Sequence, residues 1–573
     1  MGHRLVPPLS YFYTLNQIME NKPIARKLRL LSQLMELHDA NPFKIKSIAN
    51  AAFKVDKLPF QVAGKNYAEL EKIDGIGKST AGKIIELLEK GTMTELDELI
   101  AQTPEGIVEM MGIKGIGPKK VGIIWKELGI ENIGELFYAC NENRLVEAKG
   151  FGLKTQEDIR KVIEFNMASH GKFLYAKVEQ QANDFLQQLK DIFPDALLEF
   201  AGEFRRRSEI IDKLVVVLGS RDEETAFTTL KQSDVVTDVQ TDKNHVTGKL
   251  EGGLAVDIVC VEKRYYYQEL FTQTGDDEHV NAILSRTADT IDQPESEELI
   301  YKKAGAAYIL PELREGTTFI ERAENNELPV LISHHDLKGT LHNHSTWSDG
   351  INTVEEMAIY CRDEMHLEYL GMCDHSKSAF YAKGLSIERV LQQHEEIDHL
   401  NKKLDGFHIF KGIESDILYD GSLDYPDEIL QRFDFIVASV HSILKMDEAK
   451  ATSRLITAIE NPYTTILGHP TGRLLLSRKG YPIDYKKVID ACAANNVVIE
   501  INANPLRLDL DWRWHQYALE KGVWLSINPD AHRKEGFHDM YYGLLVARKG
   551  GLYKERCLNA LSLPEIKAFF DKK

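Results

Sequence analysis

Short apolar runs that end in histidine, aspartate or glutamate recur along the C-terminal part of the chain. They alternate with helical stretches, and they include EYLGMCDHS, DFIVASVHS, TTILGHP, VVIEINA and VWLSINPDAH. Strands and helices in this alternation are typical of a parallel α/β barrel or sheet. The carboxyl ends of parallel barrel strands converge on one face. We therefore expect the polar side chains at these ends to meet there.

Nine of these side chains form a candidate metal-ligand and catalytic set. In LHNHSTWSDG, His342 and His344 alternate along a strand and so project from one face, and Asp349 follows in the next loop. A lone histidine after a strand is more often a satisfied polar residue, but six imidazoles and three carboxylates at repeated strand ends favour a metal site. Nitrogen and oxygen donors without thiolate suit Mn²⁺, Zn²⁺ or Fe²⁺ better than Mg²⁺ alone. The set is His342, His344, Asp349, His375, Glu414, His441, His469, Asp530 and His532.

Length and composition indicate several further domains. At 573 residues, with the usual ~100 to 200 residues per domain, we expect about three to five. A hydrophobic fraction of 43% and a charged fraction of 28% are typical of a soluble globular protein. No window approaches the ~20 apolar residues of a membrane helix, and the first residues lack the apolar core of a signal peptide, so we expect a cytoplasmic protein without membrane contact. The six cysteines include no CxxC pair and are expected to be reduced thiols.

Two similar segments in the helical front of the chain, IDGIGKSTAGKI and IKGIGPKKVGII, indicate local binding of DNA. Their glycines permit a tight turn between helices, and the N–H groups at the next helix start can take a phosphate. The alternative is an ordinary turn and cap. A net charge of −18 argues against bulk electrostatic coating of nucleic acid, so any contact must be local. The candidate DNA-binding residues are Gly75, Gly77, Lys78, Gly115, Gly117, Lys119 and Lys120, and a weaker third copy spans 148 to 159.

The remaining chain divides by its periodicity. Residues 21 to about 165 read as helices, with an apolar stripe at Ile24, Leu28, Leu31 and Leu34, and another helix is expected over 170–193. Between 196 and 262 short β-branched runs such as DKLVVVLGS and LAVDIVCV predict strands. A mixed segment continues to about 328 and is followed by a linker.

The C-terminal motifs resemble the PHP (polymerase and histidinol phosphatase) superfamily. LHNHSTWSDG, CDHS, GIESDI, SVHS, GHPTGRLL and NPDAH occur in its order, and all nine of its ligand positions are filled. The resemblance implies a distorted (βα)₇ barrel with up to three divalent ions, and hence phosphoester hydrolysis, because bound ions generate hydroxide and screen phosphate oxygens. Cys373 and Asp374 beside a ligand are either supports for it or strand packing, and we favour packing.

The whole chain resembles the bacterial family X DNA polymerases, on NPFKIKSIANAAFKV, YILPELREG and DLKGTLHNHSTWSDG together with the hairpins. This implies a multidomain protein with an all-α helix-hairpin-helix domain, an α+β nucleotidyltransferase-like palm and thumb, and an α/β PHP barrel. The expected boundaries are 1–165 for the helical domain, 166–262 for the palm, 263–328 for the thumb, 329–338 for a linker and 339–573 for the PHP domain.

The palm departs from that family at its metal-binding carboxylates. In GEFRRRSEIIDKLVVV, Gly202, Arg205, Arg206 and Glu209 match in register, but the two aspartate positions fall on Lys213 and Val215. A serine position falls on Glu203, and only the third aspartate is kept, as Asp257. One carboxylate cannot hold two ions against a triphosphate, and Asp212 would need a bulge to reach the same face. Arg205, Arg206 and Arg207 then contact DNA phosphates or form surface ion pairs.

These observations favour a metal-dependent DNA phosphoesterase, a 3′→5′ exonuclease or 3′-end-processing repair enzyme with a decayed polymerase core. Its partner would be DNA, held through backbone phosphates by a monomeric protein. The alternatives are a histidinol-phosphatase-like enzyme for small molecules, a DNA-binding scaffold without catalysis, and an active polymerase with 3′→5′ exonuclease activity. Templated primer extension would support the last.

Overall fold

The computed structural model describes residues 20–572 apart from 114, 147, 169, 170, 234 and 288–292. The expectation that the chain has no signal peptide concerns its first residues, of which 1–19 lie outside the described part. Residue 170, the first of the helix expected over 170–193, also lies outside it. The chain forms two compact units, of which one ends at Ile133 and the other begins at Gly134. None of the helices in the described part combines the length and apolar character needed to span a bilayer.

The first unit is helical. The expected stripe of Ile24, Leu28, Leu31 and Leu34 is fully buried. The helix that carries it packs against the next one, which Asn41 caps with its side chain. The helices of this unit are α1 (Asn21–Leu37), α2 (Pro42–Lys57), α3 (Tyr67–Glu71), α4 (Lys78–Lys90), α5 (Thr94–Ala101), α6 (Glu105–Met110) and α7 (Pro118–Lys126).

The second unit begins with helices and a five-stranded sheet. The runs predicted as strands from DKLVVVLGS and LAVDIVCV are β4 and β7, which pair in parallel at the sheet's centre. Around them the order is β2-β4-β7-β6-β5. The elements are α8 (Ile133–Asn141), α9 (Leu153–Ala168), β1 (Phe173–Leu174), α10 (Tyr175–Ile192), β2 (Leu197–Ala201), α11 (Gly202–Arg205), β3 (Ile210–Ile211), β4 (Lys213–Ser220), α12 (Glu223–Gln232), β5 (Thr237–Asp242), β6 (His245–Lys249) and β7 (Ala255–Glu262).

The helix expected over 170–193 starts at Tyr175. Phe173 and Leu174 instead pair with Ile211 and Ile210, so the chain is extended immediately before α10. Four helices with their own apolar core follow the sheet, namely α13 (Tyr266–Thr274), α14 (Asp277–Leu284), α15 (Glu297–Lys303) and α16 (Ile320–Glu324). The palm, thumb and linker boundaries stay predictions.

The C-terminal part is a seven-stranded parallel barrel that is nearly closed, which confirms the expected fold class. Its strands follow in chain order from β8 to β14. The N–H of His344 donates to the carbonyl of Ala531 at 2.8 Å, and Asn343 forms a parallel bridge with Ala531, so the edges join. The elements are β8 (Gly339–Thr340), α17 (Val354–Asp363), β9 (Tyr369–Met372), α18 (Ile387–Lys403), β10 (His408–Asp416), α19 (Asp427–Leu430), β11 (Phe435–Ser439), α20 (Glu448–Ile459), β12 (Ile466–Leu467), α21 (Tyr485–Asn495), β13 (Val498–Asn502), α22 (His515–Glu520), β14 (Leu525–Asn528), α23 (Met540–Lys549) and α24 (Leu563–Phe570).

Candidate metal centre and nucleic-acid interface

The barrel brings all nine candidate ligands together at the carboxyl ends of its strands. His342 and His344 follow β8, Glu414 lies near the end of β10, and the others lie in the segments that follow β9, β11, β12 and β14. Because the strands are parallel and adjacent, these ends open on the same face of the barrel. Their side chains are each no more than 6% exposed.

Glu414 is surrounded by imidazoles. The Nε2 atoms of His342, His441 and His469 lie 3.3, 3.0 and 3.0 Å from its Oε1 atom. The Nδ1 atom of His375 lies 2.9 Å from Oε2. Both oxygens therefore face imidazoles that could serve as further ligands, and Glu414 would supply its oxygens to a cation held there.

The remaining ligands form overlapping groups around Asp349 and Asp530. Asp349 Oδ2 lies 3.5 Å from Nε2 of His375, and Asp349 Oδ1 lies 3.3 Å from Nε2 of His532. Asp530 Oδ1 lies 3.0 Å from Nε2 of His344. Ligand atoms within 4.8 Å of one another form three groups drawn from the nine: His344, Asp349, His375 and His532; His342, His344 and Asp530; and His375, Glu414 and His441.

The distances and the unpartnered atoms both fit divalent ions. Two ligand atoms that each bind one ion at about 2.1 Å, at angles of about 90° to 109°, lie about 3.0 to 3.4 Å apart, close to the separations here. Several buried ligand atoms also lack a hydrogen bond of acceptable geometry in the described part of the chain, although His375 Nδ1 and Glu414 Oε2 lie 2.9 Å apart, and this would be costly without an ion. They are His342 Nε2, His344 Nδ1, Asp349 Oδ2, both ring nitrogens of His375, Glu414 Oε2 and His532 Nε2.

The charges in the centre are strongly coupled. Burial alone would raise the pKa of Glu414, but His441 and His342 outweigh it and hold the pKa well below its usual value. Burial would lower the pKa of His532, yet Asp349 raises it to about 9. For His344, burial and the neighbouring imidazoles of His532 and His375 lower the pKa to about 3. The carboxylates are thus ionised and available to hold cations.

Two carboxylates that sequence reasoning missed hold ligand histidines in place. Glu500 Oε2 lies 2.7 Å from Nδ1 of His342, and Glu500 Oε1 accepts a hydrogen bond from the backbone N–H of His469. Asp416 accepts a hydrogen bond from Nδ1 of His441. Hydrogen bonds of this kind orient a ligand imidazole and raise its basicity. The available signals were an acid inside the apolar run VVIEINA and a carboxylate two residues after Glu414 on the same strand.

Cys373 and Asp374 have different roles. The Cys373 thiol is fully buried and donates to the carbonyl of Leu341, which agrees with packing. Asp374 instead accepts hydrogen bonds from the N–H and hydroxyl of Ser345 at 2.8 and 2.7 Å, and from the N–H of Ser348 at 3.1 Å. It therefore shapes the loop that carries Asp349, and for this residue the expectation of packing was incomplete.

The palm residues lie as the sequence register predicts. Val215 pairs directly with Asp257 across the parallel strands β4 and β7. The Asp257 oxygens lie 3.2 Å from Nζ of Lys213 and 2.8 Å from Nδ1 of His245. Glu203 accepts the backbone N–H of Asp212 at 2.9 Å. The retained carboxylate is therefore already paired with protein groups.

The three palm arginines are engaged within the chain. The Nη2 atom of Arg205 lies 2.6 Å from Oε2 of Glu297. The Nε atom of Arg206 lies 3.1 Å from Oε1 of Glu315. Arg207 donates to the hydroxyl of Tyr175. These contacts favour ion pairing over phosphate contacts for Arg205 and Arg206. The pairs are largely buried, whereas the sequence suggested ion pairs at the surface.

The two predicted hairpins share one backbone geometry. Gly75 and Gly115 adopt φ of 88° and 96°, in the left-handed region where glycine is favoured. Gly77 and Gly117 are the N-caps of α4 and α7, with φ, ψ of −80°, 170° and −92°, 173°, and neither helix has a side-chain cap. A glycine N-cap offers no side-chain acceptor to the N–H groups of the first turn, which is compatible with a phosphate-binding turn, although α7 begins with Pro118 and has no N–H at that position.

The lysines and the third copy fit the same pattern. The Lys78 side chain is 81% exposed, Lys119 is exposed, and Lys120 is half-buried. In the third copy Gly150 has φ of 88°, and α9 begins at Leu153, directly after Gly152.

Two helix-hairpin-helix families match parts of this chain, and the chain is similar to a DNA polymerase and to probable phosphatases. Residues 19–93 match the Helix-hairpin-helix domain family, and residues 107–164 match the SAM-like Helix-hairpin-helix tandem family. The chain is 33% identical to the DNA polymerase/3′-5′ exonuclease PolX of Bacillus subtilis (strain 168) over 97% of its own length and 100% of that protein. It is 30% identical to a probable phosphatase of Thermoanaerobacter sp. (strain X514) over 30% of this chain and 72% of that protein. A probable phosphatase of Acetivibrio thermocellus is 30% identical over 34% of this chain and 79% of its own length.

We predict that Glu500→Gln weakens binding of a divalent ion by about 10- to 100-fold, because His342 loses the anionic acceptor that orients it. Competition titration with a chelating dye, together with metal analysis of the purified protein, measures the effect. Glu364→Gln, at an exposed residue beyond α17, is the matched control and should leave affinity unchanged. Equal affinity in both variants would show that Glu500 does not support the centre.

Proposed function

Since the chain belongs to the bacterial PolX family, the family X DNA polymerases that carry a C-terminal PHP domain, we propose that it hydrolyses phosphoester bonds at the 3′ ends of DNA. The family and the helix-hairpin-helix matches support a metal-dependent, DNA-processing enzyme. The observation that carries the finer proposal is the convergence of six imidazoles and three carboxylates, with unpartnered ligand atoms, at one face of the barrel. The Bacillus subtilis relative is named a DNA polymerase/3′-5′ exonuclease, which supports the direction of hydrolysis.

In this proposal the nine residues hold up to three divalent ions, with Mn²⁺, Zn²⁺ or Fe²⁺ preferred. Ions bound there supply a hydroxide near neutral pH and screen the phosphate oxygens as negative charge develops. Glu500 and Asp416 fix His342 and His441 through their Nδ1 atoms, so that both present Nε2 to the centre. Burial of the ligands excludes bulk water and strengthens their electrostatic interactions.

We further propose that the palm does not polymerise. The ammonium of Lys213 and the imidazole of His245 occupy the two oxygens of Asp257, and Val215 offers no ligand beside it. Two ions need several carboxylates to be held against a triphosphate. The palm would then serve as a scaffold for the second unit.

DNA would be held through its backbone by the hairpins. Exposed N–H groups at helix starts and nearby lysines bind phosphates without reading bases. This matches a nuclease that acts on ends of any sequence. A small-molecule phosphatase is the second candidate, since the probable phosphatases are similar to part of the chain, but that activity gives the hairpins no role.

We expect 5′-labelled single-stranded and gapped DNA to shorten progressively from the 3′ end with Mn²⁺, and Asp530→Asn to reduce the rate to background. The reason is that Asp530 faces both His342 and His344, and a neutral amide oxygen in its place holds a divalent ion more weakly than a carboxylate does. Denaturing gels across Mn²⁺, Zn²⁺, Fe²⁺ and Mg²⁺ provide the measurement, with a 3′-phosphate substrate to separate terminal monoester release. Asp363→Asn, at a surface residue of α17, is the control. Activity retained in Asp530→Asn, or absent with every ion, would refute the proposal.

We expect no templated incorporation in primer extension with Mg²⁺ or Mn²⁺, because Asp257 is the one retained aspartate of the three metal-binding positions and is already paired. The Bacillus subtilis PolX protein, assayed beside it, is the positive control. To prevent degradation of the primer from masking synthesis, the assay should use the Asp530→Asn background. Templated extension there would overturn our account of the palm.

We expect the double substitution Lys78→Gln and Lys119→Gln to weaken DNA binding by a similar factor for all sequences. If each lysine neutralises one phosphate, the slope of log affinity against log salt concentration falls by about 0.9 per lysine. Fluorescence anisotropy over a salt series measures both effects. Lys22→Gln, at an exposed position of α1 outside both hairpin segments, is the control. An unchanged slope would contradict hairpin binding.

A further inference from the structure

Helix α8 is fixed to the barrel at its first turn. A Cβ atom at Gly134 would lie only 1.8 Å from Cβ of Ser477, so glycine alone permits this close approach. The next residue is Glu135, and its Oε1 atom lies 2.6 Å from Nη1 of Arg478. Both contacts lie within the second unit and hold the start of the helix against the segment that follows β12.

One turn later the helix reaches the metal centre itself. The Tyr138 hydroxyl donates to Oδ2 of Asp530 at 3.2 Å and accepts from Nε of Arg507 at 2.9 Å. The Arg507 guanidinium also lies over the Tyr138 ring at 4.2 Å. Through these contacts the segment of residues 134–146 is held beside a candidate ligand.

This arrangement places Arg144 at the edge of the centre. Its Nη2 atom lies 2.7 Å from Glu142, and its guanidinium lies 4.7 Å from the centroid of the Tyr381 ring. Its Nε atom lies 3.9 Å from Oδ2 of Asp349, which is too far for a hydrogen bond. The buried Nε–H therefore has no acceptor among the described residues.

Tyr381 presents a second donor of the same kind. It belongs to a short turn, Phe380–Ala382, and its ring lies 6.3 Å from that of His375. Its hydroxyl is buried and also has no partner in the described part of the chain. Two unpartnered donors, one of them on a permanent cation, thus adjoin the group that contains Asp349 and His375.

Unpartnered donors at this position point to an anionic ligand. When Asp349 binds a cation, its charge no longer balances Arg144, and Glu142 remains as the nearest counter-ion. A phosphate oxygen can accept from a guanidinium N–H and a phenol O–H together, and such charge-assisted bonds are about twice as strong as neutral ones. Neither donor belongs to the nine-residue set.

We propose that Arg144 and Tyr381 form a subsite that binds a phosphate oxygen of the DNA end beside Asp349 and His375. The inference deepens the proposed function and rests on it. Arg144 is supplied by a segment far from the barrel in sequence, so the hydrolytic site includes a residue from the front half of the chain. The subsite serves a diester or a terminal monoester, because both carry the same non-bridging oxygens.

The test uses the full-length Mn²⁺-loaded protein with Arg144→Gln, Tyr381→Phe and the double variant. Inorganic phosphate is the probe, and its binding is measured by calorimetry and by competition with hydrolysis of labelled DNA. We expect Arg144→Gln to weaken phosphate binding and raise KM by about tenfold or more, and Tyr381→Phe to do so by about threefold, with metal content unchanged. Arg362→Gln and Tyr419→Phe, at surface residues of the same unit, are the matched controls.

Several results would overturn the inference. Unchanged phosphate affinity in both variants means that the donors serve packing, and faster hydrolysis by Arg144→Gln means that the segment blocks the site. Loss of bound metal means that Arg144 supports the ligands instead. If Arg144→Gln fails to fold, Arg144→Lys and Tyr381→Phe supply the same comparison, and wild-type affinity in both contradicts the subsite.

The outcomes separate this inference from the proposed function. If the wild-type protein binds phosphate through Arg144 and Tyr381 but leaves DNA ends intact, the subsite stands and end hydrolysis fails. If both variants hydrolyse DNA ends with wild-type KM and phosphate affinity, end hydrolysis stands and the subsite fails.

Discussion

The burial of an ionised Glu414 is the constraint on which the centre depends. Moving a carboxylate out of water costs several kcal/mol unless charges or hydrogen bonds replace the solvent. Here four imidazoles approach its oxygens within 3.3 Å, and they lie in the segments that follow β8, β9, β11 and β12. The four imidazoles can reach one carboxylate because the strands that precede them lie on either side of the strand that carries Glu414 in the barrel. The bond from His344 to Ala531 closes the barrel edge and brings Asp530 and His532 into the same set.

The palm also buries a carboxylate, but different groups face it. Asp257 is also largely buried, and Lys213 and His245 face its two oxygens. An ammonium has only donors and cannot ligate an ion while charged, whereas an imidazole can exchange its proton for a metal. On the proposed function, the groups that face Glu414 in the barrel are imidazoles, which a cation can use, whereas the palm places an ammonium as well as an imidazole at Asp257. This difference in chemistry separates the two sites more clearly than the number of carboxylates does.

Residues at strand ends could be predicted, and contacts between distant segments could not. The nine barrel residues follow apolar strands in order, so topology alone brings them together, as found. The role of Glu500 was not predicted, because a single acid inside a buried strand belongs to no motif. Its unusual position in an apolar run was the one sign in the sequence. Arg205 and Arg206 matched a pattern, but their partners Glu297 and Glu315 lie too far along the chain for sequence to choose between ion pairs and phosphates. Tyr138 lies on α8 and Arg144 lies in the turn after it, and the sequence of neither segment contains a sign of the barrel.

The position of Arg144 bears on why hairpins and a hydrolytic barrel occur in one chain. The third hairpin turn, at Gly150, follows Arg144 by six residues and lies in the same compact unit as the barrel. The family match over 107–164 includes both. On the proposed function, a DNA backbone bound at that turn is held at a fixed position relative to Arg144. The reason is that α8, which precedes both, is fixed to Ser477, Arg478 and Asp530. Positioning a reacting group by a fixed neighbouring contact lowers the entropic cost of reaction. The front half of the chain then contributes to orientation at the hydrolytic site as well as to affinity for DNA.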